Sequence, residues 1–269
     1  MNRRQFLKNS ALTAASLSLA PTLVRAQSTP ANAQVVGANN DIRVAIVGLN
    51  SRGKNHLDSL AGQKGVRIVA ICDVDTAVLD RISAHAKEKF NIAPQVYQDY
   101  RKLLENKDID AVTLATPNHW HALGGIWAAQ AGKDSFVEKP ISHNIWEGRK
   151  LVEAARKYNR IVQAGTQTRS SYGIKEAIAW LRAGNLGKIK LARTLCYNRR
   201  DSIGKATEPV QIPATVDYDQ WCGPAPKEKE LWRKKFHYDW HWGWPMGNGD
   251  LGNQGVHQVD MVRWALGYD

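Results

Sequence analysis

From residue 41 onward, short apolar runs alternate with stretches of helical period, and this alternation limits the fold of the 269-residue chain more than any other feature. Ile42–Val47, Val66–Cys72 and residues 110–115 are β-branched or apolar runs of strand length. Residues 54–61, 76–88 and 119–131 read as the helices that follow them. Two more strands, at 135–137 and 161–164, flank a helix at 145–158, and a weaker strand is read near Gln95–Tyr97. Repeated strand–helix units of this length predict a parallel sheet with helices on both faces. With 43% hydrophobic residues and ordinary charge density, the chain can bury a real core.

The first strand runs into Val47-Gly48-Leu49-Asn50-Ser51-Arg52-Gly53, where the first helix opens. The spacing is that of G-x-G-x-x-G, with Asn50 in place of the second glycine. Gly48 allows the tight turn and Gly53 lets helix and strand pack closely. Amides at the helix start, helped by the helix dipole, face a pyrophosphate. Asn tolerates unusual backbone angles better than most residues. Gly48, Asn50, Ser51, Arg52 and Gly53 are therefore the expected contacts at the phosphate end of a dinucleotide. Asp73 closes the second strand 20 residues after Gly53. A carboxylate there bonds ribose hydroxyls and favours NAD over NADP, although Arg52 offers a partner to a 2′-phosphate. The alternative for Asp73 is a helix N-cap or turn residue.

In open parallel sheets, ligands lie beyond the carboxyl ends of the strands. Thr116, Pro117, Asn118 and His121 follow the third clear strand, and Glu138 and Lys139 follow the next, so all are expected on one rim. A lysine at such a strand end is placed to move a proton while a dinucleotide takes a hydride. His119 and His121 are two residues apart and do not share a helical face, so no metal site is expected.

After Gly165 the pattern changes. A helix at 173–183 leads through Gly184-Asn185-Leu186-Gly187 into an expected long strand at 188–197. About 50 residues of little periodicity follow, many aromatic, and then a helix at 253–266. One strand cannot make a sheet, so this second domain reads as incomplete.

The N-terminus carries Arg3-Arg4-Gln5-Phe6-Leu7-Lys8, a mildly apolar stretch from Ala11 to Ala20, and Val24-Arg25-Ala26. This is the pattern of a twin-arginine export signal over 1–26, followed by a flexible linker over 27–40. The apolar stretch is too short and too rich in Ser, Thr and Ala to span a bilayer. The expected location is the periplasm, reached by a protein that folds around a tightly held cofactor before export. Four charges of the net +12, on Arg3, Arg4, Lys8 and Arg25, lie in that leader. The remaining basic residues are scattered among acids, which favours a solvated face over nucleic-acid binding. Cys72, Cys196 and Cys222 form neither a metal pattern nor a disulfide framework, and Cys72 reads as a core residue.

Six motifs in order resemble those of the glucose–fructose oxidoreductase and inositol dehydrogenase (Gfo/Idh/MocA) family: residues 48–53, Cys72-Asp73-Val74-Asp75, Thr116-Pro117-Asn118-His119-Trp120-His121-Ala122, Glu138-Lys139-Pro140, Trp221-Cys222-Gly223-Pro224-Ala225-Pro226 and residues 252–260. The resemblance covers most of 41–269. It implies an α/β fold with an N-terminal Rossmann domain (41–164, parallel sheet). A C-terminal α/β domain of the open, mainly antiparallel type would follow, present in part over 165–269. It also implies a catalytic set of the motif lysine, here Lys139, with an Asp and a His four residues apart on a helix. The His maps to His257, but the Asp position holds Asn253. On one helical face with His257, Asn253 can hydrogen-bond a substrate hydroxyl but cannot take its proton. That leaves the base to His257 or Lys139. Asp260 matches an acid often found in the family, with an orienting or structural role.

The segment 236–244 is unusually aromatic. Tyr238, Trp240 and Trp242, with Asp260, are candidate contacts to the C–H faces and hydroxyls of a sugar. The alternative is a hydrophobic cluster, which is the reading for Trp221, Trp232 and Trp264. The expected activity is NAD(P)-dependent oxidation of a secondary alcohol in a sugar, cyclitol or glycoside. The alternatives are an NAD-dependent glycosidase acting by transient oxidation and elimination, or a non-catalytic sugar or nucleotide sensor. The expected partners are a small carbohydrate and a second copy of the chain.

Overall fold

Six strands form one parallel sheet in the order β3-β2-β1-β4-β5-β6. They are β1 (Ile42–Val47), β2 (Val66–Cys72), β3 (Gln95–Tyr97), β4 (Ala111–Leu114), β5 (Asp134–Glu138) and β6 (Val162–Gly165). The structure is a computed structural model and describes residues 41–197 and 202–268. The leader and linker expected over 1–26 and 27–40 lie outside the described residues. Strand β1 pairs with β2 from Ile42↔Val66 to Val47↔Cys72 and with β4 from Val44↔Ala111 to Val47↔Leu114. The chain winds outward from β1 in both directions, so the crevice between the ends of β1 and β4 is the place where strand order reverses.

Helices α1 (Arg52–Leu60), α2 (Thr76–Phe90), α3 (Tyr100–Glu105), α4 (Asn118–Gln130) and α5 (Ile145–Lys157) connect the strands. Their ends are marked by local chemistry. The Asp75 side chain accepts from Ala77 N–H at 3.0 Å and caps α2, while Asn91 at φ 56° closes that helix. Asp99 caps α3 in the same way, accepting from Arg101 N–H at 2.8 Å. The short helix α3 carries no sequence signal long enough to be read in advance.

Alternate residues of the central strands face opposite sides. Ala45 and Val47 join Ala70, Cys72, Val112, Leu114 and Val137 in one buried cluster. Ile46 joins Leu49, Leu57, Ile68, Ile71, Val78 and Ile82 in the other. Both faces are dry, as a parallel sheet wrapped by helices requires.

Beyond the sheet come a 3₁₀ turn (Gln167–Ser170) and α6 (Tyr172–Arg182). The long strand expected at 188–197 does not form: these residues are irregular, and nearly all are exposed. Among the described residues no strand pairs with them, and an apolar run without a neighbouring edge has no ladder to join. Trp232, read as core, is 61% exposed, whereas Trp221 is buried with Cys222, Leu231, Phe236, Trp240 and Met246 in a third cluster. This cluster is anchored beside the end of β2: Thr76 N–H donates to Thr215 O at 3.0 Å and Asp217 N–H to Val74 O at 2.9 Å. The remaining elements are α7 (Tyr218–Cys222), a 3₁₀ turn (Asp239–Trp242), a π turn (Leu251–Gly255) and α8 (Val256–Ala265). No helix among the described residues is long and apolar enough to cross a membrane.

Candidate functional site

A cavity of about 710 Å³ runs along the carboxyl ends of the strands, from Asp73 past the glycine turn to Lys139 and His257. Its size is that of a small-molecule or cofactor site. At the turn, Gly48 has φ +80°, and a Cβ there would sit 2.8 Å from the Ala115 carbonyl and the Thr116 nitrogen. A Cβ at Gly53 would lie 1.8 Å from Gly48 O, so the close approach of α1 to the turn admits only glycine. Asn50 does not use the left-handed region its residue type favours. Its Oδ1 instead accepts from the Arg81 guanidinium at 2.7 Å, which ties the turn to α2.

The Asp73 carboxylate accepts Leu49 N–H at 2.7 Å and Asp75 N–H at 3.1 Å. Burial pushes this carboxyl above its ordinary value against the opposing effect of the two amides. Asp73 therefore braces the glycine turn and also lines the cavity. These bonds are those of the turn residue, one of the two sequence readings of Asp73.

Arg52 does not extend toward the Asp73 end. Its Nε donates to Glu138 Oε1 at 2.7 Å, across from α1 to the end of β5. His56, one turn further along α1, reaches the same oxygen from Nε2 at 3.0 Å. An ionised carboxylate only accepts, so His56 is the donor. Burial of Glu138 favours its neutral form, but the bonds from His56 and Arg52, with the charge of Arg52, win and hold its pKa at about 2.

Thr116, Pro117 and Asn118 line the cavity where β4 ends. The Asn118 amide is committed to Asn248 Oδ1 at 3.1 Å, and Asn248 in turn donates to His143 O at 2.7 Å. His121, expected at the cofactor, has both ring nitrogens against backbone carbonyls, of Thr116 and Pro140, and is 1% exposed. It holds the β4 and β5 loops together, and its ring forms part of the cavity wall. His119 is used similarly, between Met246 O at 3.3 Å and Trp221 O at 3.0 Å. Burial outweighs those carbonyls and lowers its pKa to about 4.

At the far end, Lys139 Nζ donates to the main-chain oxygen of Asn253 at 2.7 Å and to its Oδ1 at 3.1 Å. Asn253 is not yet on the α-helix. It lies in the π turn, whose wider loop is closed by Val256 N–H bonding Leu251 O, and His257 is the second residue of α8. The four-residue spacing still brings Asn253 and His257 to the same cavity. Burial and the nearby Lys139 charge both push His257 below the ordinary imidazole value. Its Nδ1 is buried with no hydrogen-bond partner among the described residues. Asp260 does not orient it: both carboxylate oxygens accept from Arg169, at 2.8 and 2.9 Å, which clamps α8 to the turn after β6.

Tyr238 and Trp240 line the cavity, with His241 and His237 beside them, whereas Trp242 does not. Trp240 is mainly structural: its Nε1 donates to His237 O at 3.1 Å, and its ring stacks on His241 at 3.6 Å. His237 Nε2 meets Asp75 Oδ2 at 3.0 Å and fastens the aromatic segment to the end of β2. Gln167 and Gln254 also line the cavity and went unnoticed in the sequence, where an isolated glutamine carries no signal.

Two family models of one oxidoreductase family match the chain. The first, described as an NAD-binding Rossmann fold, covers residues 42–166, and the second, a C-terminal alpha/beta domain, covers residues 181–269. This protein belongs to the Gfo/Idh/MocA oxidoreductase family. Its six-stranded unit is therefore an NAD-binding Rossmann domain, and the glycine cradle, the α1 N-terminus and Asp73 fit that cofactor. Among curated proteins, the chain is similar to a glycosyl hydrolase family 109 protein of Shewanella baltica. That match is 33% identical over 171 residues, 58% of this chain and 37% of the relative. A protein of the same description from Shewanella sp. (strain W3-18-1) is 37% identical over 120 residues, 43% of this chain and 26% of the relative. The chain thus spans about a third or less of these relatives. Among solved structures, scyllo-inositol dehydrogenase from Lactobacillus casei, with bound NAD(H) and scyllo-inositol, is 28% identical at a TM-score of 0.51 over 55% of this chain and 43% of its own. The WlbA dehydrogenase from Bordetella pertussis, in complex with NADH and UDP-GlcNAcA, shares the fold at a TM-score of 0.63 and 21% identity over 85% of this chain and 56% of its own.

Proposed function

We propose that this chain forms the cofactor site and the reaction centre of an NAD-dependent oxidoreductase acting on a secondary alcohol of a sugar, cyclitol or glycoside. The observation that carries this reading is the meeting of Lys139, Asn253 and His257 at one end of the cavity that also holds the glycine turn and Asp73. When bound, NAD supplies the acceptor for a carbon-bound hydride. Ser51 and Gly53 offer backbone amides at the start of α1, while Gly48, whose N–H bonds Cys72 O at 2.9 Å, makes the tight turn, and Asp73 faces the ribose end. Lys139 polarises the reacting oxygen. His257, kept neutral by burial and by Lys139, takes the hydroxyl proton. Asn253 accepts from Lys139 through an amide oxygen, so it fixes the ammonium without holding a proton of its own. Tyr238 supplies an aromatic wall to the sugar.

A second reading is favoured by the curated relatives. Their description as glycosyl hydrolases supports an enzyme that oxidises its glycoside transiently and returns the electrons before product leaves. One experiment separates the two. The purified chain is checked for bound NAD by mass spectrometry, then assayed at 340 nm against inositols and sugars and against nitrophenyl glycosides. Net NADH formation marks the dehydrogenase. Nitrophenol release without net NADH marks the glycosidase. Binding without either reaction defeats both readings. The Arg3-Arg4 leader supports export in the folded state, which cell fractionation of an Arg3→Lys, Arg4→Lys variant tests.

A further inference from the structure

Glu138 is a buried carboxylate beside the cavity that accepts from three donors. Arg52 and His56 of α1 both donate to its Oε1, and its Oε2 accepts the backbone N–H of Lys139 at 3.2 Å. Its side chain is 5% exposed. Room for it is made by Gly165 on β6, where a Cβ would come within 2.9 Å of Glu138 Cα and 3.1 Å of Oε2. His56 packs edge-on against Phe136 of β5 at 5.5 Å and does not line the cavity. Arg52, by contrast, belongs to the glycine turn itself.

We propose that Glu138, held from α1 by Arg52 and His56, is a positioning residue that sets Lys139 and ties it to the cofactor turn. The inference rests on the reading that Lys139 handles the reacting oxygen. A strand end is the most mobile part of a strand, and Lys139 lies just past one. Three donors converging on one buried carboxylate fix the peptide from which the lysine side chain departs. The strength of the arrangement follows from its charge: the carboxylate stays ionised at any working pH, so its hydrogen bonds are charge-assisted throughout. Since Arg52 is part of the turn, a shift of α1 relative to β5 moves the turn and Lys139 together. His56 acts on both only through Glu138.

The test uses the whole chain and the variants His56→Leu, His56→Gln and Arg52→Met. Two quantities are read. One is the rate at which succinimidyl acetate modifies Lys139, followed by peptide mass spectrometry. The other is the NADH dissociation constant from fluorescence. His56→Leu removes the donor, and both quantities are expected to rise, the labelling rate on the order of tenfold, as loss of one charge-assisted hydrogen bond implies. His56→Gln keeps an N–H at similar reach and returns both toward the parent. Lys133, buried and bonded to Asn106 O and Ile109 O, serves as the control for folding and stays unlabelled while the fold is intact. If His56→Leu exposes Lys133, Arg52→Met decides, because Met has no N–H to donate, Arg52 is 42% exposed and its loss leaves the core filled. Labelling of Lys139 at the parent rate in a folded variant lacking either donor overturns the proposal. Neither readout needs turnover. Failure of the reaction assignment, seen as full activity in Lys139→Ala, is therefore a separate result.

Discussion

Lys139 Nζ holds both oxygens of one residue, the main-chain oxygen of Asn253 at 2.7 Å and its Oδ1 at 3.1 Å. The lysine is thereby fixed to the π turn through neutral acceptors, where the family pattern places a carboxylate. Asn253→Asp keeps the geometry and adds a negative charge beside the ammonium. An opposite charge at that distance favours the protonated amine. The alkaline limb of the pH–rate profile is expected to move to higher pH, with substrate affinity little changed. A profile that superimposes on the parent's means that Lys139 does not set that limb.

His257 and Lys139 divide the proton chemistry in the proposed mechanism, and each carries enough of it to be tested alone. Lys139→Ala or His257→Ala is expected to lower turnover by on the order of 100-fold or more while NAD binding persists. The two are also linked electrostatically. Burial first, and then the Lys139 charge, depress the His257 pKa. Lys139→Met removes the second cause, so the imidazole should titrate at higher pH in an NMR titration. An unchanged His257 titration in Lys139→Met removes the electrostatic link.

The parallel sheet was legible because a doubly covered strand must be apolar on both faces, as in residues 44–47 and 68–72. The glycine turn, Asp73 and Lys139 were legible because each needs a particular residue type at a particular strand end. What escaped was side-chain commitment. Nothing in the sequence says that Arg52 turns to Glu138, that the His121 ring is consumed by two carbonyls, or that Asp260 serves Arg169. Such partners are separated by up to 91 residues and meet only in the fold. The run at 188–197 misled for a related reason: β propensity describes a half-buried, paired surface, and the described residues give that run no partner strand. The π turn around Asn253 has no periodic signature and shows itself only through the widened hydrogen bonding.

Asp73 carries two loads, the brace on Leu49 N–H and the expected contact to ribose. Asp73→Ser shortens the acceptor and removes the charge. NADH affinity, followed by fluorescence, should fall on the order of tenfold or more, as loss of charge-assisted hydrogen bonds implies. NADPH should lose less, because the same change removes a carboxylate that repels a 2′-phosphate. Equal loss for both cofactors means that Asp73 acts on the turn alone.

His119 gives the chain a pH-dependent stability with a defined sign. Its pKa is lowered to about 4 in the folded chain by burial, against about 6.5 in an unfolded chain. Between those values the unfolded chain binds more protons, so stability is full above about 6.5 and is lost as pH falls toward 4. The loss attributable to this one group is about 3 kcal/mol at the bottom of that window. Glu138, held near 2, loses its own contribution lower down, as pH falls from its ordinary range toward 2. Denaturant unfolding of the parent and of His119→Gln at pH 7 and pH 4.5 isolates the histidine. The variant starts less stable, since it gives up a packed ring with contacts to Trp221 O and Met246 O. It should then lose less than the parent on acidification. Equal losses in the two proteins would show that His119 is not the buried neutral group that acid must charge.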